Sequence, residues 1–305
     1  MSAAPVQIAV LEDRGVVSVA GADAEKLLGG LITNDMALLD AERPGGPPAL
    51  YAALLSPQGK ILFDFLVVRA AGGVLLDVAR DRAGELVKRL TLYKLRAAVE
   101  IRDLSAEYAV GVLWDTAPVS TGAMVGAHIF ADPRFSPLGL RVLADVRSVA
   151  EVFARTGAAA APPEAYHAHR IGLGVPEGGK DFAFGDVFPH EALLDQLHGV
   201  SFTKGCFVGQ EVVSRMQHRA TVRKRVVPVI GEVPLPSGPL PVLSGETEIG
   251  RLGSVAGVRG LALLRLDRVA QAARTGVALT AGGVPLTVEV PPFATFDIGA
   301  PHETA

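Results

Sequence analysis

Short apolar blocks separated by turn residues fill the first third of the chain. Val6–Glu12 and Gly15–Ala20 read as strands, and Asp23 stands where an N-cap would for a helix with the apolar face Ala24, Leu27, Leu28 and Leu31. Gly29 and Gly30 weaken its end, and Thr33-Asn34-Asp35 favours a turn, since these side chains bond to nearby backbone. After a Pro/Gly loop at Ala41–Pro48, Leu50–Leu55 is a strand closed by the turn Ser56-Pro57-Gln58-Gly59. Ile61–Arg69 and Val74–Ala79 flank Ala70-Ala71-Gly72-Gly73 and make an antiparallel hairpin. Asp64 interrupts the first of these apolar runs. Such a carboxylate either faces water or meets a partner, because an unpaired buried charge is costly, and the solvated face is the favoured reading.

Helical spacing returns over Asp81–Tyr93 through Leu86, Val87 and Leu90, and strand character over Ala97–Arg102 and Tyr108–Trp114. Thr116–Gly126 is loop-like, Leu138–Leu143 a strand, and Asp145–Arg155 and Pro163–Ile171 are helical. Strands alternating with amphipathic helices make the first part α+β or α/β. Residues 174–190 are rich in turns and Phe. From Val226 onward, short apolar segments (Val226–Ile230, Leu240–Leu243, Glu248–Val255, Leu261–Leu266, Ala278–Thr280, Leu286–Val290) are broken by Gly and Pro with almost no helical period. They predict a small β-barrel or sandwich. The boundary falls near residue 222, giving domains 1–222 and 223–305.

At 305 residues the chain exceeds what one core usually serves. Its 49% hydrophobic and 20% charged residues suit a globular fold, and a net charge of −3 excludes a nucleic-acid-coating polycation. One cysteine rules out an intramolecular disulfide framework. With no charged-then-apolar leader at Met1–Gly15, it points to a reducing, cytoplasmic setting. No apolar run is long enough for a membrane span.

The single cysteine lies in Lys204-Gly205-Cys206-Phe207-Val208-Gly209-Gln210-Glu211, with Arg215 four residues on. Glycine at 205 and 209 opens φ > 0 and close approach, while Lys204 and Arg215 could stabilise a thiolate. The competing reading is a small buried hydrophobe among Phe207, Val208, Val212 and Val213. One thiol cannot alone hold an iron–sulfur cluster, so any metal role borrows ligands from a partner or a second copy. His167 and His169, two apart on a helix, share no face and make a poor metal pair. Arg215, His218, Arg219, Arg223, Lys224 and Arg225 form a basic run, read first as a solvated face and second as a phosphate or RNA contact.

The signature at 204–211 with Arg215 resembles that of the YgfZ-like branch of the folate-binding proteins related to the glycine cleavage T-protein, with Phe207 where Tyr is common. Gly30-Leu31-Ile32-Thr33-Asn34-Asp35, Gly199-Val200-Ser201-Phe202 and Gly260-Leu261-Ala262-Leu263-Leu264 are similar to other family segments. The resemblance implies an α+β, multi-domain, ring-like body with a central folate-type cavity and a C-terminal β-barrel. It implies a tetrahydrofolate-binding factor that supports assembly or repair of iron–sulfur clusters, mainly [4Fe–4S], in client enzymes, with an indirect effect on tRNA modification.

Under that resemblance Cys206 is the functional thiol and a transient cluster ligand, with Lys204 and Arg215 beside it. Asn34, Asp35, Lys60, Asp64, Gln210 and Glu211 are then cofactor-binding candidates, and cluster carriers or clients the partners, with no membrane and no direct nucleic-acid binding. The T-protein differs in carrying paired aspartates where this chain has Phe63-Asp64, and an Arg-x-Glu-x-Gly pattern where it reads Arg170-Ile171-Gly172-Leu173-Gly174. The alternative reading is a folate-dependent one-carbon transferase with Asp64 as acid/base.

Overall fold

A computed structural model describes residues 6–40, 48–115, 126–218 and 222–298. Most of the expected loops at Ala41–Pro48 and Thr116–Gly126, and Arg219 of the basic run, lie outside the described residues. In chain order the elements are β1 (Gln7–Val10), β2 (Arg14–Ala20), α1 (Ala24–Gly29), a 3-10 turn (Met36–Leu39), β3 (Ala49–Leu55), β4 (Ile61–Ala70), β5 (Gly73–Ala79) and α2 (Arg80–Lys94). Next come β6 (Glu100–Asp103), β7 (Tyr108–Trp114), β8 (Ala127–Ala131), β9 (Leu140–Asp145), α3 (Val149–Thr156), β10 (Ala159–Ala160), α4 (Pro163–Gly172) and α5 (Gln210–His218). The last are β11 (Lys224–Gly231), β12 (Pro241–Ser244), β13 (Thr247–Ala256), β14 (Arg259–Arg265), α6 (Leu266–Thr275), β15 (Leu279–Ala281) and β16 (Val284–Val288).

These elements fall into two compact units. The first takes residues 1–55, 62–166 and 197–208, the second 56–61, 167–196 and 209–305. The first unit holds two five-stranded sheets, ordered β3-β4-β5-β2-β6 and β10-β1-β7-β9-β8. β4 and β5 pair antiparallel from Phe65↔Val78 to Ala70↔Gly73, the expected hairpin. The sheet's inner face (Val17, Val19, Phe63, Phe65, Val67, Leu76, Val78) packs on Leu28 of α1 and on Ala83, Leu86 and Leu90 of α2, one buried core. At about 25 cal/mol per Å² of apolar area, a fully buried Leu or Phe there contributes roughly 1.5–3 kcal/mol.

In the second unit β11-β14-β13-β12-β15-β16 close into a barrel, as the segment spacing predicts. Closure leaves no open edge strand. Its interior is filled by Val227, Val229, Val242, Ile249, Leu252, Ala262 and Leu264.

Three elements differ from the sequence expectation. α6 interrupts what was read as barrel without helix: Leu266, Val269 and Ala272 recur every third residue on its buried face, and Gly276 at φ +68 ends it. β8 is not among the expected strands: Ala127-His128-Ile129-Phe130-Ala131 is only five residues long, yet it pairs with β9 throughout. Asp23 does not cap α1 through its side chain; its carboxylate instead accepts from the Ala98 N–H at 2.8 Å.

Candidate functional site

The chemistry of the thiol segment begins with how its loop is held. α1 has six residues, and the chain after it turns through Thr33, Asn34 and Asp35. All three side chains are engaged by backbone. Thr33 Oγ1 donates to the Gly199 carbonyl at 2.6 Å and accepts from Ala53 N–H at 2.8 Å. Asn34 Nδ2 donates to the carbonyls of Tyr51 and His198 at 2.8 and 2.7 Å, and Oδ1 accepts from Asp35 N–H. The Asp35 carboxylate accepts from Ala37 N–H at 3.0 Å and caps the 3-10 turn. Ser201 N–H donates in turn to the Thr33 carbonyl. A plain turn, the simpler expectation here, is instead a bracket that seats residues 198–204 on β3.

Lys204 completes the bracket. Its Nζ donates to the carbonyls of Gly29, Ile32 and Asn34 at 2.8, 2.8 and 2.9 Å. An ammonium has three protons, and one goes to each oxygen. Burial pulls this ammonium down to about 8, with the Asp35 charge opposing. The lysine's donors are therefore turned to carbonyl oxygens, which gives it a positioning part in the loop. Two residues on, Cys206 is a free, exposed thiol. That removes the buried-hydrophobe reading; the apolar anchor is its neighbour Phe207, which is buried.

Lys60, Gln210, Glu211 and Arg215 lie in the second unit. Gly209 has φ +81, a conformation that favours glycine, whereas Gly205 does not use that freedom. Gln210 and Glu211 open α5, and the Glu211 carboxylate pairs with Arg215 at 2.7 Å. Arg215 thus has a carboxylate partner within its own helix. Lys60 Nζ donates to the Asp186 carbonyl at 2.6 Å and lies 3.4 Å from the Phe188 ring centroid, a cation–π contact. Of the basic run, Arg225 is buried and bidentate to Asp195 at 2.9 Å, so the run is not one continuous cationic face. His167 Nε2 sits 3.0 Å from Lys180 Nζ, and among the described residues no group of His, Cys, Asp and Glu is placed to hold a metal ion.

Asp64 overturns the solvated-face reading: it is buried, and its Oδ2 accepts from the Tyr51 hydroxyl at 2.9 Å. Burial and then the Asp64 charge push the Tyr51 phenol well above its ordinary range. Beside it is a buried ionic network that sequence reasoning missed. Arg14 Nε bonds Asp77 at 2.6 Å, Arg141 reaches both Asp77 and Asp132 at 3.3 Å, and Arg134 grips Asp132 through Nε and Nη2 at 2.9 and 2.7 Å. Burial pushes the Asp132 carboxyl up, but Arg134 and Arg141 outweigh it and hold the group at about 2. The signal was present: Asp77 and Arg141 are lone charges inside apolar strands, as Asp64 is, and their signs are opposite.

A cleft of about 580 Å³ opens in the first unit, with Asn34, Leu50, Tyr51, His198 and Phe202 on its walls. It is roomy enough for a flat ring and offers aromatic and apolar surface. Among the described residues its lining includes no carboxylate, however, and Asp64 lies behind Tyr51 outside it. The guanidine-like edge of a pterin needs an acceptor of that kind, since charge-assisted hydrogen bonds there contribute roughly 1.5–3 kcal/mol each. The residues of this cleft do not fit a pterin held by that edge.

Comparison with known proteins narrows the reading. A family model described as the CAF17 C-terminal beta-barrel domain matches residues 223–296, the barrel. The chain is 36% identical over 233 residues to the "Iron-sulfur cluster assembly factor IBA57 homolog, mitochondrial" of Mycosarcoma maydis, covering 73% of this chain and 57% of that protein. It is 35% identical over 280 residues to the "Iron-sulfur cluster assembly factor IBA57, mitochondrial" of Homo sapiens, covering 85% and 77%. The solved aminomethyltransferase T of the glycine cleavage system from Bartonella henselae superposes with a TM-score of 0.72 over 95% of this chain and 87% of that one, at 16% identity. That likeness establishes the fold, a mixed α/β aminomethyltransferase type with a closed barrel.

The cytoplasmic expectation is overturned by the fungal and human relatives, both named mitochondrial. A lone thiol argues against a disulfide-stabilised fold, and it does not choose between reducing compartments.

Proposed function

Because the chain belongs to the IBA57 family of iron–sulfur cluster assembly factors, we propose that it supports cluster assembly in client enzymes through the exposed thiol of Cys206. The observation that carries this reading is the contrast along three residues: Lys204 and Phe207 are sunk into the first unit while Cys206, the chain's single cysteine, faces solvent. A protein with one thiol presents it in this way when the sulfur has to meet something outside. Thiolates are soft ligands for iron, and one thiolate supplies one ligand, so the remaining ligands come from a carrier or client. Ligation releases the thiol proton. The cluster is cargo here.

The YgfZ-like relation and a preference for [4Fe–4S] clients belong to this proposal. An effect on tRNA modification would follow indirectly, through modifying enzymes that need clusters. One-carbon transfer is not adopted, because Asp64, the acid/base it needs, is buried under the Tyr51 hydroxyl. The test is complementation of cells lacking the protein, reading several [4Fe–4S] enzymes at matched expression. Wild type is expected to restore them and Cys206→Ala to fail while remaining folded; full restoration by Cys206→Ala refutes the thiol's part.

A further inference from the structure

A second cleft, of about 470 Å³, lies wholly within the second unit and takes no part in the chemistry proposed for Cys206. One wall is apolar: the Phe188 ring, with Val212 and Met216, which stand one turn apart on α5 and share a face. All three side chains are half-buried. The other wall is cationic, with Arg223 just before β11, Lys224 at its first residue and Arg265 at the last residue of β14.

Lys224 and Arg265 are directly opposed in the β11–β14 register, so their side chains leave the ladder on the same face, and like charges so placed repel. Asp267 answers Arg265 alone, through contacts at 3.2 and 2.7 Å. Among the described residues neither Arg223 nor Lys224 has a side-chain hydrogen bond or ion pair. Glu191 also lines the cleft, but its carboxylate accepts from Phe188 N–H at 2.8 Å and forms no ion pair with the three cations among the described residues. Lys60 Nζ, 3.4 Å from the centroid of the Phe188 ring, adds further positive charge beside that ring. The cationic segment is tied down on both sides: the Arg223 carbonyl accepts from Leu266 N–H of α6, and Val226 N–H donates to the Glu191 carbonyl, both at 2.8 Å.

We propose that this cleft binds a small phosphate monoester with an apolar or aromatic body, the phosphate held by Arg223, Lys224 and Arg265 and the body lying on Phe188, Val212 and Met216. Two cations without counter-ions call for a dianion rather than a single carboxylate, and guanidinium with ammonium offers forked and point donors to phosphate oxygens. The volume falls in the range of small-ligand sites. The apolar wall calls for a body that a bare inorganic ion lacks, and one aromatic ring is too short a platform for a nucleic-acid strand. The site is independent of the assembly role and makes no use of the thiol.

The test titrates phenyl phosphate into the full chain labelled with 13C-methyl methionine, with inorganic phosphate, benzoate and benzyl alcohol as comparisons. The chain has four methionines, so the Met216 signal is assigned by its loss in Met216→Leu. Phenyl phosphate is expected to shift the Met216 methyl and to bind more tightly than any of the three comparisons. Its affinity should fall with added salt and rise as pH passes the second phosphate pKa of about 6. Arg223→Ala/Lys224→Ala should weaken binding roughly tenfold or more. Glu191→Gln keeps an acceptor for Phe188 N–H while removing a negative charge, and should tighten binding severalfold, a gain that a damaged cleft would not give. Cys206→Ala should bind as wild type does.

An unmoved Met216 signal, or equal affinity in wild type and Arg223→Ala/Lys224→Ala, overturns the site. Inorganic phosphate that binds as tightly as phenyl phosphate overturns the part given to the apolar wall, and with it the ligand class. A short oligothymidylate that displaces phenyl phosphate and binds more tightly overturns the small molecule in favour of nucleic acid.

Discussion

Lys204→Met keeps the aliphatic stem and removes the ammonium that joins the thiol loop to the end of α1. Three hydrogen bonds are lost, to the carbonyls of Gly29, Ile32 and Asn34. At roughly 1.5–3 kcal/mol for each bond from a charged donor the gross loss is large. Two terms reduce it: the ammonium's own desolvation is relieved, and water reaches a half-buried site to hydrate the freed carbonyls. The net expectation is about 2–3 kcal/mol of destabilisation, read by urea unfolding. Lys204→Arg should recover little, because a planar fork cannot aim three donors at oxygens grouped around one point.

The pH dependence has a definite sign. The ammonium titrates at about 8 in the folded chain against 10.5 ordinarily. Between these limits the unfolded state binds more protons, so this residue's contribution to stability rises with pH, and the gap between wild type and Lys204→Met widens above about pH 8. Alkylation of Cys206 near neutral pH separates positioning from charge. A lysine that stabilised the thiolate would, on removal, slow alkylation severalfold; a positioning lysine leaves the rate unchanged or raises it. Unchanged stability together with slowed alkylation would refute the positioning argument.

Asp132→Asn leaves Arg134 buried without its anion and Arg141 with Asp77 alone, and should cost about 3–5 kcal/mol. Because the Asp132 carboxyl is held at about 2 rather than 3.8, its stabilisation is present above its ordinary pKa and is lost as pH falls from about 4 to 2, roughly 2 kcal/mol that the variant's acid titration should lack. Parallel acid curves for the two proteins would count against it. At Gly59, φ is +81 and an added Cβ would sit 2.9 Å from Cβ of Val212, so Gly59→Ala should lower stability by about 1–3 kcal/mol; an unshifted melt contradicts this. Asn34→Ala strands the carbonyls of Tyr51 and His198 and should cost about 2 kcal/mol, with faster amide exchange at Ser201 as the second readout.

What could be read from the sequence depended on whether the signal was local. The β4–β5 hairpin and the barrel strands were legible because alternation, β-branched residues and Gly/Pro punctuation lie within a few positions of one another. α6 was legible too, in the three-residue recurrence of Leu266, Val269 and Ala272, but it was lost among strands on both sides. The parts of Thr33, Asn34 and Lys204 were not accessible in this way. Each acts across more than 160 positions, and only the folded chain brings residues 29–34 to their partners at 198–204.

The same division explains why motif logic located the site and mistook its wiring. Glycine, lysine, cysteine and glutamate close together suggest a charged environment tuned to one sulfur. In the fold, Lys204 and Glu211 turn away from that task, the first to carbonyls and the second to Arg215. What remains around Cys206 is a backbone anchored through Lys204 and a thiol left open to solvent. Such a site fixes where the sulfur is, which is what the proposed ligand shared with another protein requires. The rule applied to Asp64, that a lone charge in an apolar strand has a partner or a surface, extends to Asp77 and Arg141. Opposite sign is what joins Asp77 of β5 to Arg141 of β9.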